Sequence, residues 1–275
     1  MGVLDGKAAI VTGSARGIGR ATAELLAEQG ARVLVNDLDG DVAEQAASEI
    51  SGETTVFGGD LTKPGLPDQL VQRAVDEFGR IDIIVNNAGY TWDGVAHKMT
   101  DEQFQAMLDI HTVVPFRIIR AAASHMREPA KAEREQGQEV FRKIVNVSSV
   151  SGTMGNAGQA NYAAAKAGVV GLTKTLAKEW GQFKVNVNAV AFGFVETRLT
   201  ASKEEGGKIE MEGKEIPLGI PEQMRAMAAM MIPLGRPASP EEAAGPVFFL
   251  CSPWSNYVHG QVLNVTGGQF GGMYI

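Results

Sequence analysis

The sequence predicts an α/β fold of three layers, a seven-stranded parallel sheet flanked by helices on both faces. Three observations predict it. Short Val/Ile-rich runs alternate with helical stretches along the chain, the runs are apolar almost throughout, and a Gly-rich turn joins the first run to the first helical stretch. A strand apolar on both sides is one covered on both sides, and regular β-α-β alternation builds a parallel, doubly wound sheet.

Strands are expected at 7–13, 32–37, 54–60, 81–86, 143–149, 185–190 and 262–265. Helices are expected at 17–29, 40–50, 67–78, 101–126, 159–179 and 240–250. Right-handed crossovers put the carboxyl ends of the strands on one edge, where ligands bind. Two stretches break the rhythm. The charged stretch 127–142, with Lys131, Glu133, Arg134, Glu135 and Glu139, leads into the amino end of a strand and reads as a solvated surface excursion away from the ligand edge. The stretch 197–232 follows the carboxyl end of the sixth strand and should hang over the ligand edge as a substrate lid. Its latter half, 224–232, reads as a Met-rich helix, serving ordinary packing, an adaptable apolar wall, or both. Residues 1–275 are read as one domain.

Composition narrows the function classes. Hydrophobic residues make up 44% of the 275, enough for a sizeable core, and no apolar run is long enough to span a bilayer. The one cysteine, Cys251, excludes an intrachain disulfide and a multi-Cys zinc site; its place after Val247-Phe248-Phe249-Leu250 marks it as a buried small hydrophobe. The four histidines are scattered, so no metal is expected. A net charge of −7 argues against a nucleic-acid partner. The first residues lack a basic-then-apolar leader, and Gly6 stands where an acylation signal wants Ser or Thr, so the expectation is a cytoplasmic protein with no membrane partner.

Strand one runs into Thr12-Gly13-Ser14-Ala15-Arg16-Gly17-Ile18-Gly19. The spacing is G-x3-G-x-G, and the physics is that of a dinucleotide turn. Gly13 turns the chain off the strand, Gly17 and Gly19 admit a pyrophosphate, and the next helix points its positive end at it. The fold is therefore expected to be Rossmann-type, with Gly13, Ser14, Arg16, Gly17, Ile18 and Gly19 at the cofactor. Asp37 ends strand two, where a carboxylate accepts from both adenosine ribose hydroxyls and repels a 2′-phosphate. This favours NAD(H) over NADP(H), although Arg16 could meet a 2′-phosphate. Asp60-Leu61 closes strand three, with Asp60 placed to bond the adenine amino group. Asn87, Ala88 and Gly89 follow Asn86 at the end of strand four, where small residues pass under the cofactor and asparagine amides tie strand ends together.

Ser149 ends strand five, and Tyr162 and Lys166 lie one turn apart on a helix face. A nearby ammonium is expected to lower the phenol pKa, so that Tyr162 can exchange a proton with an alcohol or carbonyl oxygen as hydride moves. Ser149 would hold that oxygen, and Lys166 has donors left for the nicotinamide ribose.

These residues resemble the short-chain dehydrogenase/reductase family over nearly the whole chain: TGSARGIG at 12–19, NNAG at 86–89, Ser149, Tyr162 and Lys166. The stretch 152–168 and Pro233-Leu-Gly-Arg-Pro237 are most similar to the 3-oxoacyl-[acyl-carrier-protein] reductase branch. The resemblance implies an NAD(P)-dependent oxidoreductase whose cofactor set also takes in Tyr162, Lys166, Val195 and Thr197, a substrate carried as a thioester on CoA or acyl carrier protein, and a homotetramer or homodimer assembled through the helices at 101–126 and 159–179. A steroid or other bulky secondary alcohol is the alternative substrate. A non-catalytic dinucleotide sensor is a third reading, and the intact Ser149–Tyr162–Lys166 set speaks against it.

Three departures stand out. His111 occupies the position of the family asparagine that holds a water linking the lysine to solvent; it either keeps that relay or only packs in the helix. Phe192-Gly193 replaces Pro-Gly after strand six, so Phe192 is expected to reshape the wall near the nicotinamide. Asp37 is atypical of the biosynthetic branch, which generally uses NADPH, and makes an NAD-linked 3-hydroxyacyl dehydrogenase a rival. The acidic net charge gives no support to docking an acidic carrier protein, though Arg117, Arg120, Arg127, Lys174 and Lys178 could form a local basic patch.

Overall fold

The computed structural model describes residues 2–211 and 213–269. Met1, Glu212 and 270–275 of the expected domain lie outside the described residues. Seven parallel strands form the main sheet in the order β3-β2-β1-β4-β5-β6-β9. They are β1 (Ala8–Val11), β2 (Arg32–Asp37), β3 (Thr54–Gly58), β4 (Ile83–Asn86), β5 (Arg142–Ser149), β6 (Val185–Phe192) and β9 (Val262–Val265). The order reverses between β1 and β4, which opens the crevice where such sheets take a ligand.

Successive residues of a strand face opposite layers. Ala8 and Ile10 of β1 join Leu34, Ile84 and Ile144 on one face, against α3 (Leu66–Phe78), α5 (Val114–Glu135) and α7 (Ala160–Trp180). Ala9 and Val11 join Val33, Val85 and Val145 on the other, against α1 (Gly17–Glu28), α2 (Gly40–Glu49) and α9 (Pro240–Cys251). Cys251 is buried in this second layer. Among the described residues no helix is long and apolar enough to cross a membrane.

Four sequence expectations need correction. The helix expected at 101–126 is not continuous: α4 (Asp101–Leu108) passes through a π-helical turn, Asp109–Val113, into α5. The helix expected to end at 126 runs on to Glu135, so α5 takes in the first half of the charged stretch 127–142, and β5 begins at Arg142. The cause is an ion pair: buried Arg142 grips Glu133 with both arms of its guanidinium, at 2.7 and 2.8 Å. The stretch 197–232 contains a hairpin, β7 (Lys208–Met211) and β8 (Lys214–Pro217), besides the expected helix, α8 (Glu222–Met230). Ile216 and Leu218 pin the hairpin to the first core layer, and Lys214 reaches Glu102 and the Trp92 ring. Phe192, finally, is buried in the second layer, so its ring does not form a wall of the crevice.

Candidate active site

The turn after β1 is tied down by three side chains, of which the sequence reading did not single out Asn36. Asn36 accepts from Gly13 N–H and donates to the Phe57 carbonyl, tying β2 to the turn. The Thr12 hydroxyl oxygen accepts from Asn87 and Ala88 N–H, while the Asn87 amide donates to the Thr12 and Gly13 carbonyls at 3.0 Å each. Gly13 has φ +60°, and a Cβ at Gly19 would stand 2.1 Å from the Gly13 carbonyl oxygen. The turn therefore needs glycine at both positions, one for conformation and one for close approach. Farther along the edge, Asn86 donates to Asn146, which donates to Thr173, so asparagine amides do tie strand ends to a helix.

Around this turn lies a cavity of about 640 Å³. Gly13, Arg16, Gly17 and Ile18 line it, as do Asp37 and Asp60 with Leu61, then Asn87, Ala88 and Gly89, and finally Thr197. The segment after β6 adds Arg198, and the hairpin adds Lys208, Ile209 and Glu210, none of them anticipated. Most of the expected cofactor residues thus converge on one crevice; Tyr162 and Lys166 lie outside its lining, and so do three others. The Ser14 hydroxyl turns inward to the Val11 carbonyl, Val195 packs in the second layer, and Gly19 sits behind the turn. A narrow backbone cradle at a helix start, an acid at the end of β2 and a long crevice fit a dinucleotide.

At the end of β5, Ser149 caps the short helix α6 (Val150–Met154) by accepting from Ser151 N–H, and its hydroxyl reaches Tyr162. Lys166 lies under the Tyr162 ring, its Nζ 5.6 Å from the ring centre, and donates to the Val147 carbonyl at 2.6 Å. The expected lowering of the phenol pKa is absent in the chain by itself. Burial pushes Tyr162 up to about 12, outweighing the Ser149 hydrogen bond, and Asp93 adds to the rise. Burial also pushes Lys166 down to about 7, so its ammonium is a weak neighbour at neutral pH.

His111 sits in the π-helical turn, buried, with its ring edge-on to Tyr162 at 5.0 Å. Its Nε2 lies 2.7 Å from the Tyr90 carbonyl, which can only accept, so Nε2 carries the hydrogen. Nδ1 is then a bare acceptor, buried without a partner. Burial first, then the charge of Lys166, holds the imidazole well below its usual range, against the Tyr90 hydrogen bond. A Cβ at Gly89 would stand 2.1 Å from His111 Cε1, so the last glycine of NNAG makes room for the ring. Asp93 was not foreseen either. Its carboxylate accepts from Gln159, whose own oxygen accepts from Ser151, linking it to the Ser149 turn.

Two members of the candidate basic patch make contacts within the fold. Arg117 donates to the Thr62 carbonyl, and Arg127 lies over the Phe183 and Trp180 rings. Among the described residues no cluster of His, Cys, Asp or Glu could hold a metal ion.

A parallel doubly wound sheet, a glycine cradle at its switch point and a Ser–Tyr–Lys group on the same edge define a dinucleotide-dependent oxidoreductase. A family model described as enoyl-(acyl carrier protein) reductase matches residues 13–269. The 3-oxoacyl-[acyl-carrier-protein] reductase FabG of Vibrio cholerae is 39% identical over 267 residues, 97% of this chain and 98% of that protein. The Synechocystis 3-oxoacyl-[acyl-carrier-protein] reductase is 39% identical over 98% of this chain and 99% of its own, and Escherichia coli FabG 35% over 97% and 98%. The chain belongs to the short-chain dehydrogenase/reductase family.

Proposed function

We propose that the chain reduces a 3-oxoacyl thioester, borne on CoA or acyl carrier protein, to the 3-hydroxyacyl thioester, with NAD(H) as the preferred cofactor. The observation that carries this is Ser149, Tyr162 and Lys166 meeting at one strand end, beside the His111 ring that packs on Gly89 of the glycine-lined crevice.

A bound nicotinamide supplies the hydride. The protein's part is to position the carbonyl and to move a proton. Ser149 donates to the carbonyl oxygen and fixes it near Tyr162. Tyr162 gives that oxygen its proton; a phenol pushed up to about 12 is held in its acid form, which suits reduction. Lys166, pushed down to about 7, exchanges a proton readily at neutral pH and can recharge the phenol. His111 serves as the acceptor that the family asparagine would otherwise provide: its bare Nδ1 can hold a water whose proton passes to Lys166. Gly13, Gly17 and the start of α1 take the pyrophosphate, Asp37 takes the adenosine ribose hydroxyls, and Asp60 takes the adenine amino group. Residues 197–232 act as a lid on one catalytic domain, in a homotetramer or homodimer; a buried free thiol at Cys251 suits a reducing cytoplasm.

The test follows NADH and NADPH absorbance with acetoacetyl-CoA. NADH oxidation that falls by about 10²-fold or more in Tyr162→Phe, with NADH binding intact, supports the reading. Full turnover in that variant overturns it. His111→Ala should change the pH profile of turnover; an unaltered profile removes His111 from the relay.

A further inference from the structure

The crevice carries a cation that the reading above leaves without a task. Arg198 directly follows Thr197 and lines the same cavity as Arg16, Gly17 and Asp37. Its guanidinium donates to the Lys208 carbonyl of β7, at 3.1 Å, which fixes the arm between the hairpin and the glycine turn. Thr197 itself is packed against the turn: a Cβ at Gly17 would be 3.5 Å from its Cγ2. Neither Arg16 nor Arg198 forms an ion pair among the described residues, while Arg20, Arg142, Arg225 and Arg236 all do. Arg16 and Arg198 are close enough for their charges to oppose one another, and Asp37 is the acid that Arg198 senses. Two guanidiniums without ion pairs of their own thus face the crevice beside the glycine turn, where a dinucleotide carries its phosphates, while Asp37, Asp39, Asp60 and Glu210 also line it.

We propose that Arg198, carried on the segment over the crevice, forms with Arg16 a two-arginine clamp on a phosphate group of the dinucleotide, so that cofactor binding and seating of the hairpin are one event. The inference rests on the reading of the cavity as a dinucleotide site. It adds a binding residue carried on the segment after β6 and not on the glycine turn. The phosphate is either that of the pyrophosphate, common to both cofactors, or that at the 2′ position of NADP(H). Arg198 would in the second case offset Asp37 and widen cofactor choice.

The experiment measures dissociation constants of NADH, NADPH and adenosine, without substrate or turnover, for the wild type and Arg198→Met. A clamp on the pyrophosphate weakens NADH and NADPH alike by about tenfold or more and leaves adenosine unchanged. A clamp on the 2′-phosphate weakens NADPH alone by a similar factor. Unchanged constants for both dinucleotides, or an equal loss for adenosine, overturn the proposal; the latter would mean that Arg198 only props up the hairpin. If Arg198→Met does not fold, Arg198→Lys carries the test with the same comparisons, because it keeps the charge and loses the fork. The reading of the cavity fails separately, by the wild type binding no dinucleotide at all.

Discussion

Replacing Lys166 with methionine exchanges a buried amine for an apolar side chain of similar length, and should change how stability depends on pH. Burial pushes Lys166 down to about 7 from an ordinary 10.5. The unfolded chain therefore holds that proton more tightly than the folded one. Below about pH 7 both states carry it, and the fold bears the full cost of a buried ammonium. Between about 7 and 10.5 the folded state has shed the proton and the unfolded state has not, so stability rises with pH through that window. For one site with these two values, the gain between pH 7 and pH 9 integrates to about 2 kcal/mol. Lys143, pushed down to about 8 by burial, adds a rise of the same sign. It is present in both proteins and cancels in the difference. Tyr162, raised to about 12, works in the opposite sense only above its unfolded value of 10 and stays outside the range. The assay is urea unfolding of both proteins at half-unit pH steps and fixed protein concentration. The wild type should gain about 2 kcal/mol on Lys166→Met from pH 7 to pH 9. Parallel stability curves would refute the depressed amine, and the role of Lys166 in recharging the phenol would fall with it.

Three further perturbations probe other parts of the chain. Gly19→Ala drives a methyl group into the Gly13 carbonyl and the Asn87 amide; calorimetry should show NADH binding lost and stability lowered by about 1–3 kcal/mol, and an unchanged dissociation constant would mean the turn is not the cradle. Glu133→Ala strands the buried guanidinium of Arg142 and should cost about 3 kcal/mol in urea unfolding; a loss under about 1 kcal/mol would show that α5 does not depend on that pair. Asp37→Ser removes the acid at the end of β2 and should shift the NADPH-to-NADH affinity ratio at least about tenfold toward NADPH, or about 1.4 kcal/mol; a constant ratio would remove Asp37 as the discriminating group.

What the sequence made legible and what it hid have different physical origins. The seven strands of the sheet could be read because a doubly covered strand must be apolar on both faces, as Ala8–Val11 and Ile83–Asn86 are. The cofactor residues could be read because they fall where strands end, at Gly13, Asp37, Asp60 and Asn87. The hairpin at Lys208–Pro217 left a signal that was missed: K-I-E-M-E-G-K-E-I-P alternates polar and apolar residues about a glycine, and Gly213 takes φ +75°. The continuation of α5 to Glu135 left none in the local pattern, because a charged run reads the same in a solvated loop and on a helix whose Glu133 is held by a residue of the next strand.

The π-helical turn is the most consequential of the hidden features. Nothing in the spacing of Met107, Ile110, Val114 and Ile118 announces an extra residue in the helix. Yet a widened turn changes which side chains face inward, and here it carries His111 into the core beside Tyr162. The position was recognisable from the resemblance; the consequence was not. An amide at that point would be neutral at any pH, whereas an imidazole under Lys166 is neutral because burial and a like charge keep it so. The same burial that holds His111 unprotonated lowers Lys166 and raises Tyr162. One desolvated pocket thus sets three proton affinities together. The phenol's acidity is accordingly a property of the filled crevice, in which a cationic nicotinamide would work against the burial, and not of the Tyr–Lys spacing alone.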